Sequence, residues 1–402
     1  MSTRLFISAL PGEVRAAWLS DDRLRDLVVL RDDRPSLADN IYLGRVTSVQ
    51  RKLSAAFVDI GTDRPGFLPL DEAPKGLSEG DSLILRVARD ATVEKGARLT
   101  ARFGELPPDL IAAAEGAKPP ALLRRAGDPL MAALSGDEPP AEIVIDDPAT
   151  FARARTLFAA RPEMLASARL DLDPAPLFER TGIESRIEAL LEPWVGLPSG
   201  GNLLIEPVRT LTAIDVNTAR YDGTAGPGAG AKAVNLEAAA EIPRQLRLRG
   251  LSGLIVVDFL GLADAQAREQ VVRVLRQGLD RDARPSRVST MRRSGLVEIT
   301  RHRAGPALYE VLTEPCGIGG GGRTPDPVSQ AFAALRAARA AAAGARGRAV
   351  AVVGSPRLIA ALEGLVAPAR AAVEEKLGRP LALRSHPGQD DFDQDAFDIV
   401  LE

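Results

Sequence analysis

Residues 211–217 read LTAIDVN and residues 253–259 read GLIVVDF. Each contains an apolar run that ends on an acid, Asp215 in the first and Asp258 in the second. Runs of this kind read as strands apolar on both faces, which belong to a sheet covered on both sides. Ligand crevices in open α/β sheets form at the carboxyl ends of such strands. Two of them side by side would set both carboxylates on one rim. Asn217 lies two residues beyond Asp215, so its side chain points the same way if the strand continues.

The surroundings carry the same texture. Leu203–Ile205 predicts a strand beside 211–216, and 296–300 predicts another. Residues 235–248 (NLEAAAEIPRQLRL) have helical apolar spacing, with Pro243 either kinking the helix or sitting in its first turn. Residues 264–279 predict a charged amphipathic helix. Upstream, strands are expected at 3–8, 23–31 and 141–146, and helices at 148–160 and 182–191. Between residues 41 and 88 lie short β-rich runs separated by Gly, Asp and Pro, the pattern of a small closed barrel of the oligonucleotide-binding type. GIGGGG at 317–322 reads as a linker. After it, helix 328–343, strand 348–353, helix 356–377 and strand 381–383 make a small α/β unit that must pack on a neighbour or on a second subunit. The fold class expected is multidomain, mixing α+β and α/β parts.

Composition sets bounds. A chain of 402 residues suggests roughly two to four compact units, and 45% apolar residues suffice for large cores. A net charge of -3 excludes a uniformly basic nucleic-acid coat, but not a local phosphate-binding surface. Charge is segregated: residues 281–303 are strongly basic and 390–398 are acidic. The single cysteine, Cys316, excludes an intrachain disulfide. With no signal peptide and no long apolar stretch, the expectation is a cytoplasmic protein without a membrane span.

Two carboxylates on one rim are a common means of holding a hydrated divalent ion for phosphoryl chemistry, because such an ion takes oxygen ligands and keeps several waters. The plainer alternative is that Asp215 caps a turn and Asp258 pairs with an arginine. Arg301 and Arg303 flank His302 in the basic stretch and are candidates for contact with an RNA backbone.

NIYLGRV (40–46), AAFVDIGTDRPGFLPL (55–70), GIESRIEALLEPWVGLPSGGNLLIE (182–206), LTAIDVNTAR (211–220), NLEAAAEIPRQLRLRGLSGLIVVDFL (235–260) and SGLVEITRHRAGPAL (294–308) together resemble the ribonuclease E/G family. The blocks stand in that family's order across nearly the whole chain. The resemblance implies an endoribonuclease that hydrolyses single-stranded RNA with Mg2+, or Mn2+ in its place, leaving 5′-phosphate and 3′-hydroxyl ends in mRNA decay or rRNA processing. It implies Asp215 and Asp258 as metal ligands and Asn217 as the residue that holds Asp215. It further implies a ribonuclease H-like subdomain split over 1–35 and 105–190, with an S1-like barrel at 36–104. A DNase I-like catalytic subdomain at 191–312, a linker at 313–325 and a small domain at 326–402 follow. Phe57 and Phe67 match aromatics that grip a base; burial in the barrel core is the other reading of both. Lys95, in EKGARL, matches a lysine that approaches the scissile phosphate.

Departures from the family pattern set further expectations. Between residues 104 and 141 there is no match to the insert whose Arg-Thr pocket senses a 5′-monophosphate; Arg293, in MRRSG, matches a sensor arginine but lacks its partners, so little 5′-end sensing is expected. TEPCGIGG keeps one cysteine of the zinc link, so no structural zinc is expected. A homodimer through the small domain is expected, because its Ala- and Leu-rich helix needs an apolar partner. No scaffold tail for degradosome assembly is expected. The alternative function is a catalytically weak RNA-binding or ribosome-processing factor that kept the fold.

Overall fold

The computed structural model describes residues 3–91, 95–103, 106–126, 139–218, 229–282, 284–303, 305–316, 322–345, 347–385 and 397–402. They form two compact units, one of Met1–Arg34, Ser135–His302 and Ala307–Glu402, the other of Pro35–Leu134 with Arg303–Pro306. Most of the glycine-rich linker, 317–321, and most of the acidic stretch lie outside the described residues.

The first unit begins with an antiparallel meander of β1 (Thr3–Leu10), β2 (Glu13–Ser20) and β3 (Arg23–Arg31). The strand at 13–20 is not predicted from sequence, because EVRAAWLS carries charges where a buried strand should be apolar. Those charges are buried all the same, Glu13 at 4% and Arg15 at 3% exposure, since each finds an ionic partner.

The second unit is the barrel. β4 (Ile41–Gln50), β5 (Ala55–Asp59), β6 (Gly66–Pro69), β7 (Ser82–Arg89) and β8 (Arg98–Thr100) pair in the order β5-β6-β8-β7-β4, and pairing of β4 with β5 closes the ring. Val46, Ala56, Val58, Leu68, Leu85, Val87 and Leu99 fill it. Gly66 permits the tight wall, because a Cβ there would stand 2.5 Å from Leu99 Cδ1. The boundary expected at residue 104 falls short: β9 (Ala121–Arg124) pairs with β4 and extends the sheet beyond it.

Back in the first unit, β10 (Glu142–Ile145) lies parallel to β1, and β11 (Ala168–Leu170) parallel to β10, which completes the order β11-β10-β1-β2-β3. Helix Ile183–Leu191 packs its Ile183, Ile187 and Leu190 against Phe6, Ala17 and Val144 of this sheet.

The sheet that carries both acids follows. Its strands are β12 (Trp194–Gly196), β13 (Asn202–Pro207), β14 (Thr212–Asn217), β15 (Gly253–Asp258), β16 (Ser286–Val288) and β17 (Leu296–Arg301), in the order β12-β13-β14-β15-β17-β16. Only β14 and β15 run parallel, joined through helix Ala229–Leu248. Ile205, Ile214, Val216, Ile255, Val257, Val297 and Ile299 are buried with residues of that helix and of helix Ala265–Leu279. Among the described residues, the coverage of both faces expected from the apolar runs is not found. The alternate positions Asp215, Leu254, Asp258 and Glu298 are exposed, so these strands are half-buried and their apolar excess misleads. Pro243 lies well inside its helix, its ring filling the space beside Gly278, where a Cβ would stand 2.6 Å from it.

A hairpin of β18 (Thr313–Pro315) and β19 (Arg323–Pro325) leads to helix Pro327–Gly344 and the three-stranded sheet β21-β20-β22, with β20 at Val350–Gly354, β21 at Leu381–Ser385 and β22 at Asp398–Leu401. The single helix expected over 356–377 is two, Pro356–Glu363 and Ala367–Leu377, broken after Gly364. The apolar face of Pro327–Gly344 does not need a second subunit. Ala331, Phe332, Ala334, Leu335 and Ala338 are covered within the chain, by Val350, Val352, Leu362, Val373 and Leu10 among others. The apolar helix face therefore gives no ground for a dimer.

Candidate metal centre and nucleic-acid surface

Register decides what the two acids can do. Asp215 and Asp258 are direct partners across the parallel pair β14–β15, so their backbones are about one strand spacing, ~4.8 Å, apart. Partners across a ladder share a face, and on that face both carboxylates are exposed. Asn217 Nδ2 donates to Asp215 Oδ2 at 2.9 Å and fixes that carboxylate. Among the described residues, no arginine or lysine pairs with either acid, and the bond that Asp215 accepts comes from the Asn217 side chain and not from a turn's backbone, so the plainer alternative for them is not found. Two exposed anionic oxygen donors on adjacent strands suit a hard, hydrated cation of the Mg2+ kind. Among the described residues no cluster of three or more His, Cys, Asp or Glu could form an all-protein cage, so such a cation would keep waters.

Two residues that sequence reasoning does not single out shape this rim. Asn235 is fully buried, donates from Nδ2 to Leu260 O at 2.8 Å and accepts at Oδ1 from Leu260 N at 3.0 Å, fastening the backbone two residues after Asp258. The signal was present: Asn235 stands at core spacing with Ala238, Ala239 and Ile242, where an amide would be costly without partners. Gly295 lies against the same segment. Its carbonyl accepts from Phe259 N at 3.2 Å, its φ is +103°, and a Cβ there would stand 1.8 Å from Phe259 O and 3.4 Å from Asp258 Oδ1. Gly295→Ala is therefore expected to push Asp258 out of line with Asp215. Backbone strain of about 1–3 kcal/mol should appear as lost stability, and displacement of Asp258 as weaker Mn2+ binding. Calorimetric titration with Mn2+, with thermal unfolding in parallel, checks this; unchanged Mn2+ affinity in a folded variant would refute it.

Arg293 lies in the turn that leads into the strand beside Asp258. That turn is closed by the bond from Gly295 N to Arg292 O, and Leu296 at its end is the cross-strand partner of Asp258. Arg293 is exposed and has no ionic partner among the described residues. Arg301 lies away from Asp258. It pairs with Gly253 at the opposite end of β15, five residues from Asp258 and thus about 16 Å away at ~3.3 Å per residue. Its side chain is 0% exposed; Nε donates to Asp282 Oδ2 at 3.0 Å, Nη2 bonds the same oxygen, and Nη1 bonds Leu251 O. An arginine so consumed cannot reach an RNA backbone, contrary to the expectation for Arg301. Arg303 is half-buried and groups with the barrel unit.

In the barrel, Phe57 and Phe67 are direct partners on β5 and β6, their rings 6.1 Å apart and edge to face. Both are half-buried, while their neighbours Ala56, Val58, Gly66 and Leu68 point inward and the two rings take no part in the barrel core. Phe67 N donates to Ala97 O at 2.7 Å, which brings the segment of the exposed Lys95 beside this aromatic pair.

The model of the Ribonuclease E/G family matches residues 71–304, more than half of the chain, and the protein belongs to that family. It is 29% identical to Ribonuclease E of Haemophilus influenzae over 83% of this chain and 45% of the relative, and 30% identical to Ribonuclease E of Escherichia coli K12 over 78% and 38%. It is 26% identical to Ribonuclease G of Escherichia coli K12 over the full length of both. The chain thus spans less than half the length of the Ribonuclease E relatives. No described helix is long and apolar enough to cross a membrane.

Proposed function

We propose that this protein is a cytoplasmic, magnesium-dependent endoribonuclease that hydrolyses single-stranded RNA to 5′-phosphate and 3′-hydroxyl ends, in mRNA decay or rRNA processing. The observation that carries the proposal is the level pairing of Asp215 with Asp258, in a chain of the ribonuclease E/G family. Asp215 and Asp258 hold the cation, and Asn217 keeps Asp215 aimed at it. When bound, the cation supplies Lewis-acid polarisation and neutralises charge gained in the transition state. Arg293 presents a guanidinium fork to a flanking phosphate. Water adds to phosphorus as the P–O3′ bond breaks, which accounts for the ends expected. A homodimer is part of the same reading and rests on the family resemblance alone.

Incubating short single-stranded RNA with the protein, with Mg2+ or with EDTA, and mapping both product ends tests the proposal; cleavage that survives EDTA, or 3′-phosphate ends, would refute it. The same RNA made with 5′-hydroxyl, monophosphate and triphosphate ends should be cut at similar rates. Arg293 offers one fork where a phosphate pocket needs several donors. A preference for the monophosphate of about tenfold, or about 1.4 kcal/mol, lost in Arg293→Ala, would show a rebuilt sensor.

The barrel's part is to bind unpaired bases. Each base stacked on an aromatic ring contributes about 1–3 kcal/mol. Phe57→Ala and Phe67→Ala are each expected to weaken binding of single strands by that amount, and binding of duplexes much less, as measured by anisotropy of labelled RNA. Equal losses for both RNA forms would assign the rings to barrel stability instead.

A further inference from the structure

Among the described residues one large aromatic side chain stands largely in solvent. Trp194 is 56% exposed, whereas the other tryptophan, Trp18, is 7% exposed. Trp194 begins β12, the edge strand of the sheet that carries the acids. The ladders fix its place. Trp194 pairs with Leu204, Leu204 with Asp215, Asp215 with Asp258, and Asp258 with Leu296. Direct partners lie on one face, so the indole and both carboxylates share a single row on the exposed face. Two strand spacings of ~4.8 Å put the Trp194 backbone about 10 Å from that of Asp215.

The surroundings suit a flat ligand. Leu204, partly buried, lies between the indole and Asp215. Gly196, the next residue of β12 on this face, has no atom within 4 Å of where its Cβ would be, so the space beside the indole is open. Asn202 pairs with Gly196 and with Asn217, and its Oδ1 is buried without a hydrogen-bond partner. Among the described residues, the ladder sets Leu204 opposite the indole, with Asn202 and the exposed Glu206 on either side of Leu204 on the same face. The core of a protein interface would need a contiguous apolar patch. A lone aromatic ring among polar groups is what base stacking uses.

We infer that Trp194 is a stacking platform for one unpaired nucleobase of the RNA, a nucleotide or two from the phosphate held at Asp215 and Asp258. The inference rests on the nuclease reading for its ligand, but its test reads binding without cleavage. In EDTA, Trp194 should dominate the acrylamide-quenchable emission, and a short single-stranded RNA should quench and protect it while a duplex does not. Trp194→Ala should bind that single strand roughly 5- to 100-fold more weakly, the range that loss of one base–aromatic stack produces, and Trp194→Phe should retain most of the affinity. Abasic substitution along the RNA should reveal one position, next to the cut mapped with Mg2+, where base removal weakens wild type but not Trp194→Ala. Equal affinity of folded Trp194→Ala and wild type, or emission that follows protein concentration and ignores RNA, would overturn the proposal. Quenching and an abasic signature in a protein that does not cleave would support the subsite and sink the nuclease reading; cleavage indifferent to Trp194 would do the reverse.

Discussion

Asp258→Asn and Asp215→Asn should each abolish Mg2+-dependent cleavage while leaving the fold intact. Each removes one of the two anionic oxygen sets that face each other across β14 and β15. A bound cation stabilises charge in the transition state by several kcal/mol. Losing about 4 kcal/mol of this, at 1.36 kcal/mol per factor of ten, lowers the rate roughly a thousandfold. Stability should change by no more than about 0.5 kcal/mol, as for surface substitutions generally, because both carboxylates are exposed and, among the described residues, neither holds an ion pair. Single-turnover cleavage alongside thermal unfolding separates the two quantities. Wild-type rates for Asp258→Asn at saturating Mg2+ would remove the acid pair from the chemistry. Asn217→Ala should do less, since it frees Asp215 to turn without removing a charge.

The largest effect on stability is expected at Arg31. Its side chain is 0% exposed and binds Asp33 through Nε and Nη2, both at 2.8 Å, and Asp326 through Nη1 and Nη2, both at 3.2 Å. Nη1 also reaches Ser329 Oγ at 2.6 Å. Asp326 in turn caps helix Pro327–Gly344, accepting from Val328 N and Ser329 N. One guanidinium thus links the end of β3 to the start of the small domain's long helix. Burial works to raise the Asp326 pKa, but the hydrogen bonds and charge of Arg31, with Ser329, prevail and hold it below the ordinary carboxylate value. A depressed carboxyl contributes stability that is complete above the unfolded pKa, about 3.9, and is lost as pH falls through the folded value. Wild type should therefore lose this contribution only below about pH 4. Arg31→Met leaves Asp326 buried without its closest cation, which should cost about 3–5 kcal/mol at neutral pH. Only the bonds from Val328 and Ser329 and the more distant Arg34, at 3.9 Å, then oppose burial, so the Asp326 pKa should rise, and the variant should regain stability on acidification where wild type does not. Urea unfolding of both proteins across this pH range checks the magnitude and the sign; parallel pH profiles would show that Arg31 does not govern Asp326.

A second buried network acts on the same helix. Arg336 binds Glu13 at 2.8 Å, and Arg15 binds Glu184 at 2.8 Å while its guanidinium lies over the Phe178 ring. Helix Pro327–Gly344 is thereby keyed to the N-terminal sheet of the same unit through charges as well as through Leu10. These charges are what hid β2 from sequence reasoning. A strand rule counts Glu13 and Arg15 against burial, because it has no knowledge of the arginine and glutamate that meet them from more than a hundred residues away.

The sequence by itself determined the elements and their chemistry. Apolar runs ending on Asp215 and Asp258, the helix between them and the closely spaced strands of residues 41–100 are local patterns, and local patterns set secondary structure through side-chain periodicity and turn residues. It also placed Phe57 and Phe67 on short strands of a barrel, without deciding which way the rings face. Tertiary structure decided everything that depends on register and on partners distant in the chain. It set Asp215 level with Asp258, put Trp194 in their row, sent Arg301 into a buried pair with Asp282 at the far end of its strand, and covered the small domain's apolar helix from within. It also left one face of the acid-bearing sheet exposed, although the apolar runs argued for two covered faces. The physical reason is common to all of these. A strand's sequence states which residues alternate, but pairing register and burial are properties of the neighbour, and the neighbour arrives only when the chain folds.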